Sequence, residues 1–297
     1  LSLEKIKPMN TFKASELVLN SDGTVYHLRA KGEQIADNVI VVGDPNRVEM
    51  ISSLFDSIEC KIANREIHTH TGSFQGKRIT VISTGMGPDN IDIVINELDA
   101  AVNFDLEKRE IKAEKRKLNI IRLGTSGALQ KDAAVDSFVL STYGIGIDGV
   151  LNFYEPEIPI FESEMEEAFI QQTSWPEKLA RPYIVKASEK LVNQFSAACQ
   201  LGATVTAPGF YGPQGRLLRI PLRYPSINES LTNFNYQGER ILNYEMETSA
   251  LYGIGKSLGH EMLTICVIIA NRLAGEFSKD YKKSVKKLIE YVLTHIK

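Results

Sequence analysis

The stretch Asn38-Val39-Ile40-Val41-Val42-Gly43-Asp44-Pro45-Asn46-Arg47 decides the fold. Its β-branched run is short and unbroken by polar residues, the pattern of a strand covered on both faces. Gly43-Asp44 then turns the chain. Pro45, whose fixed φ suits the first position of a helix, precedes a helical pattern from Arg47 to Phe55. The same alternation recurs outward from this unit. Strand patterns at Ile67 to Phe74 and Arg78 to Thr84 are joined by a hairpin at Gln75-Gly76-Lys77. Pro88 starts an amphipathic helix reaching about Val102, and Leu118 to Leu123 and Ser137 to Tyr143 read as strands. A helix over 187–200, a strand over 202–208, a helix over 245–258, a strand over 260–270 and a terminal helix from about Lys279 to Ile296 follow. This order predicts a single α/β domain with a mixed sheet covered by helices. No repeat or low-complexity linker divides it, and segments 104–117 and 212–242 are the long excursions, which in compact domains tend to be functional or disordered.

Composition narrows the function. The 297 residues are 43% hydrophobic and 24% charged, enough for a sizeable core. A net charge of −3 gives no electrostatic reason to expect a nucleic-acid or membrane-surface partner. The basic run Lys112 to Lys117, interrupted by Glu114, reads as a solvated insertion. Cys60, Cys199 and Cys266 have no paired spacing, so neither a disulfide framework nor a zinc site is expected. His68-x-His70 alternates as a strand would, and no metal site is expected. With no bilayer-length apolar stretch and no signal-peptide core in Leu1 to Asn20, a cytoplasmic location is expected.

The loops after strands carry the chemistry. Gly43-Asp44-Pro45-Asn46-Arg47 presents backbone N–H groups and a guanidinium at a helix start, a combination that binds anions. Ile120-Ile121-Arg122-Leu123-Gly124-Thr125-Ser126-Gly127 repeats the device: a buried strand delivers Arg122, the glycines allow close approach, and Thr125 and Ser126 supply hydroxyls. Two arginines whose planar forks match an oxyanion make a plausible phosphate cradle. With no GxxxxGK[ST] and no GxGxxG, that phosphate is inorganic or small. A surface Arg47 and ordinary glycine turns are the alternative, weaker for Arg122 because a charge ending so apolar a strand needs a partner.

Phe210-Tyr211-Gly212-Pro213-Gln214-Gly215-Arg216 pairs a donor-acceptor with a donor, which together can read a flat heterocycle bearing two carbonyls and an N–H, with Phe210 on its face. An aromatic loop anchor with exposed polar tips is the alternative. Asn243-Tyr244-Glu245-Met246-Glu247-Thr248-Ser249-Ala250 opens a helix. Before that helix, Glu245 and Glu247 can flank one ligand edge, as a sugar diol requires, with polarizable Met246 against the ring. Alternatively the acids only favour the helix N-terminus and Met246 is core.

The order GDPxR, NRE, RxGTSG, FYxxQxR and NYEMETSAL resembles the nucleoside phosphorylase family, and within it the uridine phosphorylases, from about Val25 to the C-terminus. The resemblance implies a single nucleoside phosphorylase-like domain over 25–297, a central mixed sheet or barrel surrounded by helices, preceded by an N-terminal extension over 1–24. It implies phosphate held by Gly43, Arg47, Arg122 and Thr125, with Arg65 supplied by the neighbouring subunit. Met246 and Glu247 would bind ribose with Glu245 beside them, Gln214 and Arg216 would read the uracil edge, and Phe210 would lie near the ring. His27, in Tyr26-His27-Leu28, would reach the ribose across a dimer interface, and the family assembles as hexamers of three dimers.

The activity implied is reversible phosphorolysis of uridine to uracil and ribose 1-phosphate. Arg122, Gln214, Arg216 and Glu247 are the catalytic set, inorganic phosphate is a co-substrate, and no metal or organic cofactor is needed. Asn271, where purine-cleaving relatives carry an acid, favours a pyrimidine. Asp89-Asn90 after Thr84-Gly85-Met86-Gly87-Pro88, and Gly212-Pro213 before Gln214, depart from the family pattern. A purine nucleoside phosphorylase, a water-using nucleosidase of the same fold and a catalytically silent nucleoside-binding relative are the alternatives.

Overall fold

The computed structural model describes residues 11–297. The first unit is β1 (Asn38–Val42) and α1 (Pro45–Ser52), followed by the meander β2 (Ser57–Asn64), β3 (Ile67–Phe74) and β4 (Lys77–Ser83). Then come α2 (Pro88–Asn103), the small hairpin β5 (Phe104–Asp105) and β6 (Glu110–Ile111), β7 (Asn119–Ala128) and β8 (Phe138–Gly146). The middle third holds α3 (Ser163–Thr173), β9 (Tyr183–Lys186), α4 (Glu189–Phe195) and β10 (Gln200–Thr206). The last third holds α5 (Ile227–Asn233), β11 (Asn235–Tyr236), β12 (Glu239–Glu245), α6 (Thr248–Ser257), β13 (Glu261–Asn271), β14 (Glu276–Phe277) and α7 (Tyr281–His295).

The sheet closes on itself at one end and stays open at the other. β7 pairs in parallel with β13, β13 antiparallel with β8, and β8 and β12 flank β10 in parallel. β12 then meets β7 antiparallel through Tyr244 and Asn243, which closes a barrel of these strands. From β7 the sheet runs outward through β1 and β4 in parallel, then β3 and β2 antiparallel. β1 and the first half of β7 are buried along nearly their whole length, as their unbroken apolar runs require. The single α/β domain with a mixed sheet is therefore as expected, and no described helix is long and apolar enough to cross a membrane.

Differences from the expected elements have local causes. The β3–β4 hairpin turns on Gln75 and Gly76 alone, both at positive φ, the geometry that matches strand twist. β2 escapes a periodicity reading because it lies at the sheet edge with alternating exposed residues. α6 starts at Thr248 rather than 245, because Tyr244 and Glu245 are still paired with β10. The excursion 212–242 contains α5 and the start of β12, and 104–117 contains the β5–β6 hairpin. Arg116 departs from the solvated-insertion reading: its guanidinium holds Asp37 at 2.7 Å and the carbonyls of Gly32 and Ile35. The first ten residues of the expected extension lie outside the described residues. From residue 11 onward the chain docks on the excursion, with Phe12 N–H on the Arg109 carbonyl and the Phe12 ring 5.2 Å from Phe104.

Helix α6 is the buried axis of the molecule, packed against α2, β8, β10 and β13. Tyr252 fixes it: its hydroxyl donates to the Ser141 carbonyl on β8 and accepts from Thr264 N–H on β13, both at 2.8 Å. Tyr252→Phe strands two buried backbone groups, so urea unfolding should show a loss of about 1–3 kcal/mol with an unchanged m-value. A loss within error of zero would mean that the sheet satisfies those groups without the hydroxyl.

Candidate active site

A cavity of about 700 Å³ opens where the ends of β1, β4, β7, β12 and β13 converge with the loop after β10. Its lining includes a cationic group, Arg47 and Arg122 with Gly43 and Thr125, then Met246 and Glu247, and a second group of Phe210, Gln214 and Arg216. Glu245 also borders it. Segments spread from residue 43 to residue 247 thus meet in one hollow.

At the cationic end, the Asp44 side chain caps α1 by accepting from Asn46 N–H at 2.9 Å, which sets Arg47 in the first turn. Arg47 Nη1 donates to the Leu123 carbonyl at 3.0 Å. Burial lowers the pKa of this guanidinium and the nearby Arg122 charge lowers it further, an environment that favours an incoming anion.

Arg122 is 5% exposed and is held from three sides. Nη2 donates to Glu247 Oε2, Nη1 lies 3.2 Å from Glu245 Oε2, and Nη1 donates to Cys266 Sγ at 3.3 Å. Burial pushes its pKa down, but the carboxylates of Glu247 and Glu245 more than reverse this and raise it above the ordinary arginine value. Burial likewise pushes the Cys266 thiol up, to about 11, so Cys266 is a neutral packing partner.

The two glutamates have different tasks. Glu245 accepts from Glu247 N–H and Thr248 N–H at 3.0 Å and from Thr206 Oγ1 at 2.7 Å, in addition to facing Arg122. Its oxygens serve the start of α6, so the idea that both acids flank one ligand edge does not describe Glu245, whose bonds are those of a turn clamp. Glu247 accepts from Arg122 on one oxygen and from Gly87 N–H on the other at 2.9 Å, leaving a lone pair on each for a hydroxyl donor. Gly87 reaches this position at φ +100°, which an L side chain rarely adopts.

In the second group the short turn Gly212–Gln214 presents Gln214, which is 5% exposed. Arg216 donates to Gln214 Oε1 at 2.6 Å and to the Phe210 carbonyl, and its guanidinium lies 3.7 Å from the Phe210 ring centroid. Arg272 Nη1 donates to the Gln214 carbonyl at 3.1 Å. Burial and the charge of Arg272 lower the Arg216 pKa to about 10.

Asn271 lies outside the cavity lining. It is fully buried, its amide donates to the carbonyls of Gln130 and Ala133, and its oxygen accepts from Ala274 N–H. The residues of β13 that line the cavity are Ile269 and Ala270, so this strand presents an apolar wall and no acid to a ligand.

His27 and Arg65 are not among the lining residues. They share one outer surface: Asn64 Nδ2 donates to the His27 carbonyl at 2.8 Å, and Arg65 follows at φ +54° in the β2–β3 turn. Glu97 on α2 holds His27 Nδ1 at 2.6 Å. Glu66, Met86, Asn90 and Phe277 also line the cavity, although the sequence reading gave none of them a role in the site. The NRE and TGMGPDN stretches held a signal for the first three, whereas Phe277 arrives only through the β13–β14 pairing.

Known proteins share this architecture. A sequence profile of the Phosphorylase superfamily matches residues 37–297. The solved structure of a Trypanosoma brucei nucleoside phosphorylase, described as showing uridine phosphorylase activity, superposes with a TM-score of 0.84 at 30% identity, over 93% of this chain and 98% of that one. A uridine phosphorylase from Thermococcus kodakarensis is 29% identical over 92% of this chain and 86% of its own length. A purine nucleoside phosphorylase of the DeoD type from Bacillus subtilis is 26% identical over 84% of this chain and 88% of its own.

Gly124 gives a direct test of the cationic end. A Cβ there would stand 2.1 Å from Arg122 Nη1 and 2.8 Å from Cys266 Sγ, so Gly124→Ala must displace the guanidinium. Calorimetric titration with inorganic phosphate should show affinity reduced roughly tenfold or more, the loss of about one charged hydrogen bond. Unchanged affinity would remove Arg122 from the anion site.

Proposed function

We propose that this chain, which belongs to the phosphorylase superfamily, is a uridine phosphorylase, a pentosyltransferase that converts uridine and phosphate reversibly to uracil and ribose 1-phosphate. The observation that carries this reading is that Arg47, Arg122 and the bonded Gln214–Arg216 pair line one cavity. Glu247, which also lines it and keeps acceptor capacity, would accept from sugar hydroxyls, with Met246 next to it in the chain.

In the proposed reaction a phosphate oxygen attacks C1′ as the C1′–N1 bond breaks, and the bonding pair leaves with uracil, which then takes a proton. Positive charge develops on the sugar and negative charge on the base, as in glycosyl transfer generally. Phosphate gathered by Gly43, Arg47, Arg122 and Thr125 faces the sugar cation, and Arg216 with Gln214 receives the charge of the departing base. The apolar wall of Ile269 and Ala270 offers no acid for a purine nitrogen, which supports a pyrimidine substrate. The proposed reaction uses no metal or organic cofactor, and its setting is cytoplasmic pyrimidine salvage.

The proposed assembly is a homodimer with shared sites, extended to a hexamer of three dimers, in which His27 and Arg65 complete the neighbour's cavity. An apolar surface supports it. Met86 at the cavity mouth is 75% exposed and Phe153 91%, and Tyr154 is bonded to Asp92 on α2, the helix that also carries Glu97.

Ultraviolet detection of uracil release from uridine should require phosphate, with inosine and adenosine poor substrates; equal turnover of inosine, or release that ignores phosphate, would sink the assignment. Arg122→Ala should lower kcat/KM by about 3 kcal/mol, roughly a hundredfold, mainly through phosphate. Because it also leaves Glu245 and Glu247 buried without a counter-charge, Arg122→Lys serves as the folded control. For the shared site, Arg65→Ala and Arg122→Lys should each be nearly inactive. Random co-assembly puts both lesions in one site of each mixed dimer and restores about a quarter of the activity. No recovery in demonstrated mixed dimers would place Arg65 in its own chain's site.

A further inference from the structure

A second cavity of about 730 Å³ lies behind the base-edge loop, and Arg216 lines both hollows. One wall is aromatic and aliphatic, with Trp175, Leu179, Tyr224 and Ile227. The lining also includes Arg216 and the segment Leu218-Arg219-Ile220-Pro221-Leu222-Arg223, in which arginines recur between apolar residues. Leu218 and Ile220 on its rim are 68% and 81% exposed, apolar surface that ordinary solvation does not favour. Lys178, Arg219 and Arg223 add positive charge. Asp148 is the one acid among the lining residues, and its carboxylate is already engaged by Val150 N–H, the Tyr183 hydroxyl and the Ser249 hydroxyl at 2.8 to 3.0 Å. The hollow is of ligand size, with flat apolar walls and a surplus of guanidinium and ammonium groups at its edge.

We infer that this second cavity binds an anion with a planar aromatic body, its carboxylate or phosphate held by Arg219, Arg223 and Lys178 and its ring laid against Trp175 and Tyr224. Arginine forks suit either headgroup, and the aromatic walls supply the area that a small inorganic anion lacks. Two links carry occupancy to the first cavity. Arg216 bonds Gln214 there, so an anion that draws Arg216 backward removes a donor from the base edge. On the other side, Asp148 holds the Ser249 hydroxyl, Ser249 N–H donates to Thr206 Oγ1 at 2.8 Å, and Thr206 donates to Glu245. An occupant therefore loosens recognition of the base.

Trp175 is the single tryptophan of the chain, so its emission reports occupancy whatever the first cavity does. The intact protein is titrated with phenylacetate and phenyl phosphate, with neutral phenylacetamide and inorganic phosphate as controls. The expected result is a saturable change in Trp175 emission with an aromatic anion, weakened at least tenfold in the Arg219→Ala/Arg223→Ala double variant, and absent with both controls. The stronger of the two aromatic anions identifies the headgroup. Retained circular dichroism and basal uracil release show that the double variant is folded. A response that is linear, equal with phenylacetamide or equal in the variant overturns the inference. Emission that follows protein concentration instead of ligand also overturns it, because a second copy then covers the hollow. In a separate arm that rests on the proposed activity, the aromatic anion should raise the KM for uridine several-fold in the parent protein and not in the variant. An unchanged KM beside saturable binding overturns the coupling.

Discussion

The buried charge of Arg122 is the constraint on which the rest of the site depends. A guanidinium with 5% exposure on a barrel strand is tolerable only with counter-charge, and Glu245 and Glu247 provide it. Meeting that need joins β7 to the β12–α6 turn. Glu245 secures the first N–H groups of α6, and Glu247 fastens the β4–α2 loop through Gly87. Such a cluster contributes little net stability, because desolvation offsets much of the attraction. Its effect is positional: strand β7, the β12–α6 turn and the β4–α2 loop are held in one arrangement around the cavity.

The chemistry at each end follows from what is left unpaired once that cluster forms. Arg122 is neutralised by its partners, whereas Arg47 is bonded to a carbonyl and retains an unbalanced charge facing the same space. Glu247 keeps acceptor capacity after serving Arg122 and Gly87, and Glu245 is committed to the turn. Arg216 is shared between two hollows and carries a guanidinium made less basic by burial and by Arg272. The cavity thus combines guanidinium groups with one carboxylate, that of Glu247, which keeps free acceptor capacity after bonding Arg122 and Gly87.

Much of this was legible in the sequence because the decisive signals are local. β-branched runs ending in Gly43-Asp44-Pro45 and in Gly124-Thr125-Ser126-Gly127 announce strand ends and turns whatever surrounds them. Gln214 and Arg216 lie two residues apart, and Glu245 to Glu247 are contiguous. What escaped depends on partners distant in sequence. The inward turn of Glu245 needs Thr206 and Arg122, and Asn271 is drawn from the cavity by carbonyls more than a hundred residues away. Likewise β2 is a strand because β3 is beside it, and α6 begins late because β10 extends the pairing of β12. His27 and Arg65 are positioned by Asn64 and Glu97 on an outer face, which no spacing rule anticipates.

The central claim is that Arg122 and Glu247 act as one unit. A double-mutant cycle on kcat/KM for uridine, the proposed substrate, built from Arg122→Lys, Glu247→Gln and the double variant, measures this directly. Groups in contact within one charged network are expected to show a coupling energy of about 1–3 kcal/mol, with the double variant far less impaired than the sum of the single ones. Additivity within about 0.5 kcal/mol, the behaviour of independent sites, would contradict the account.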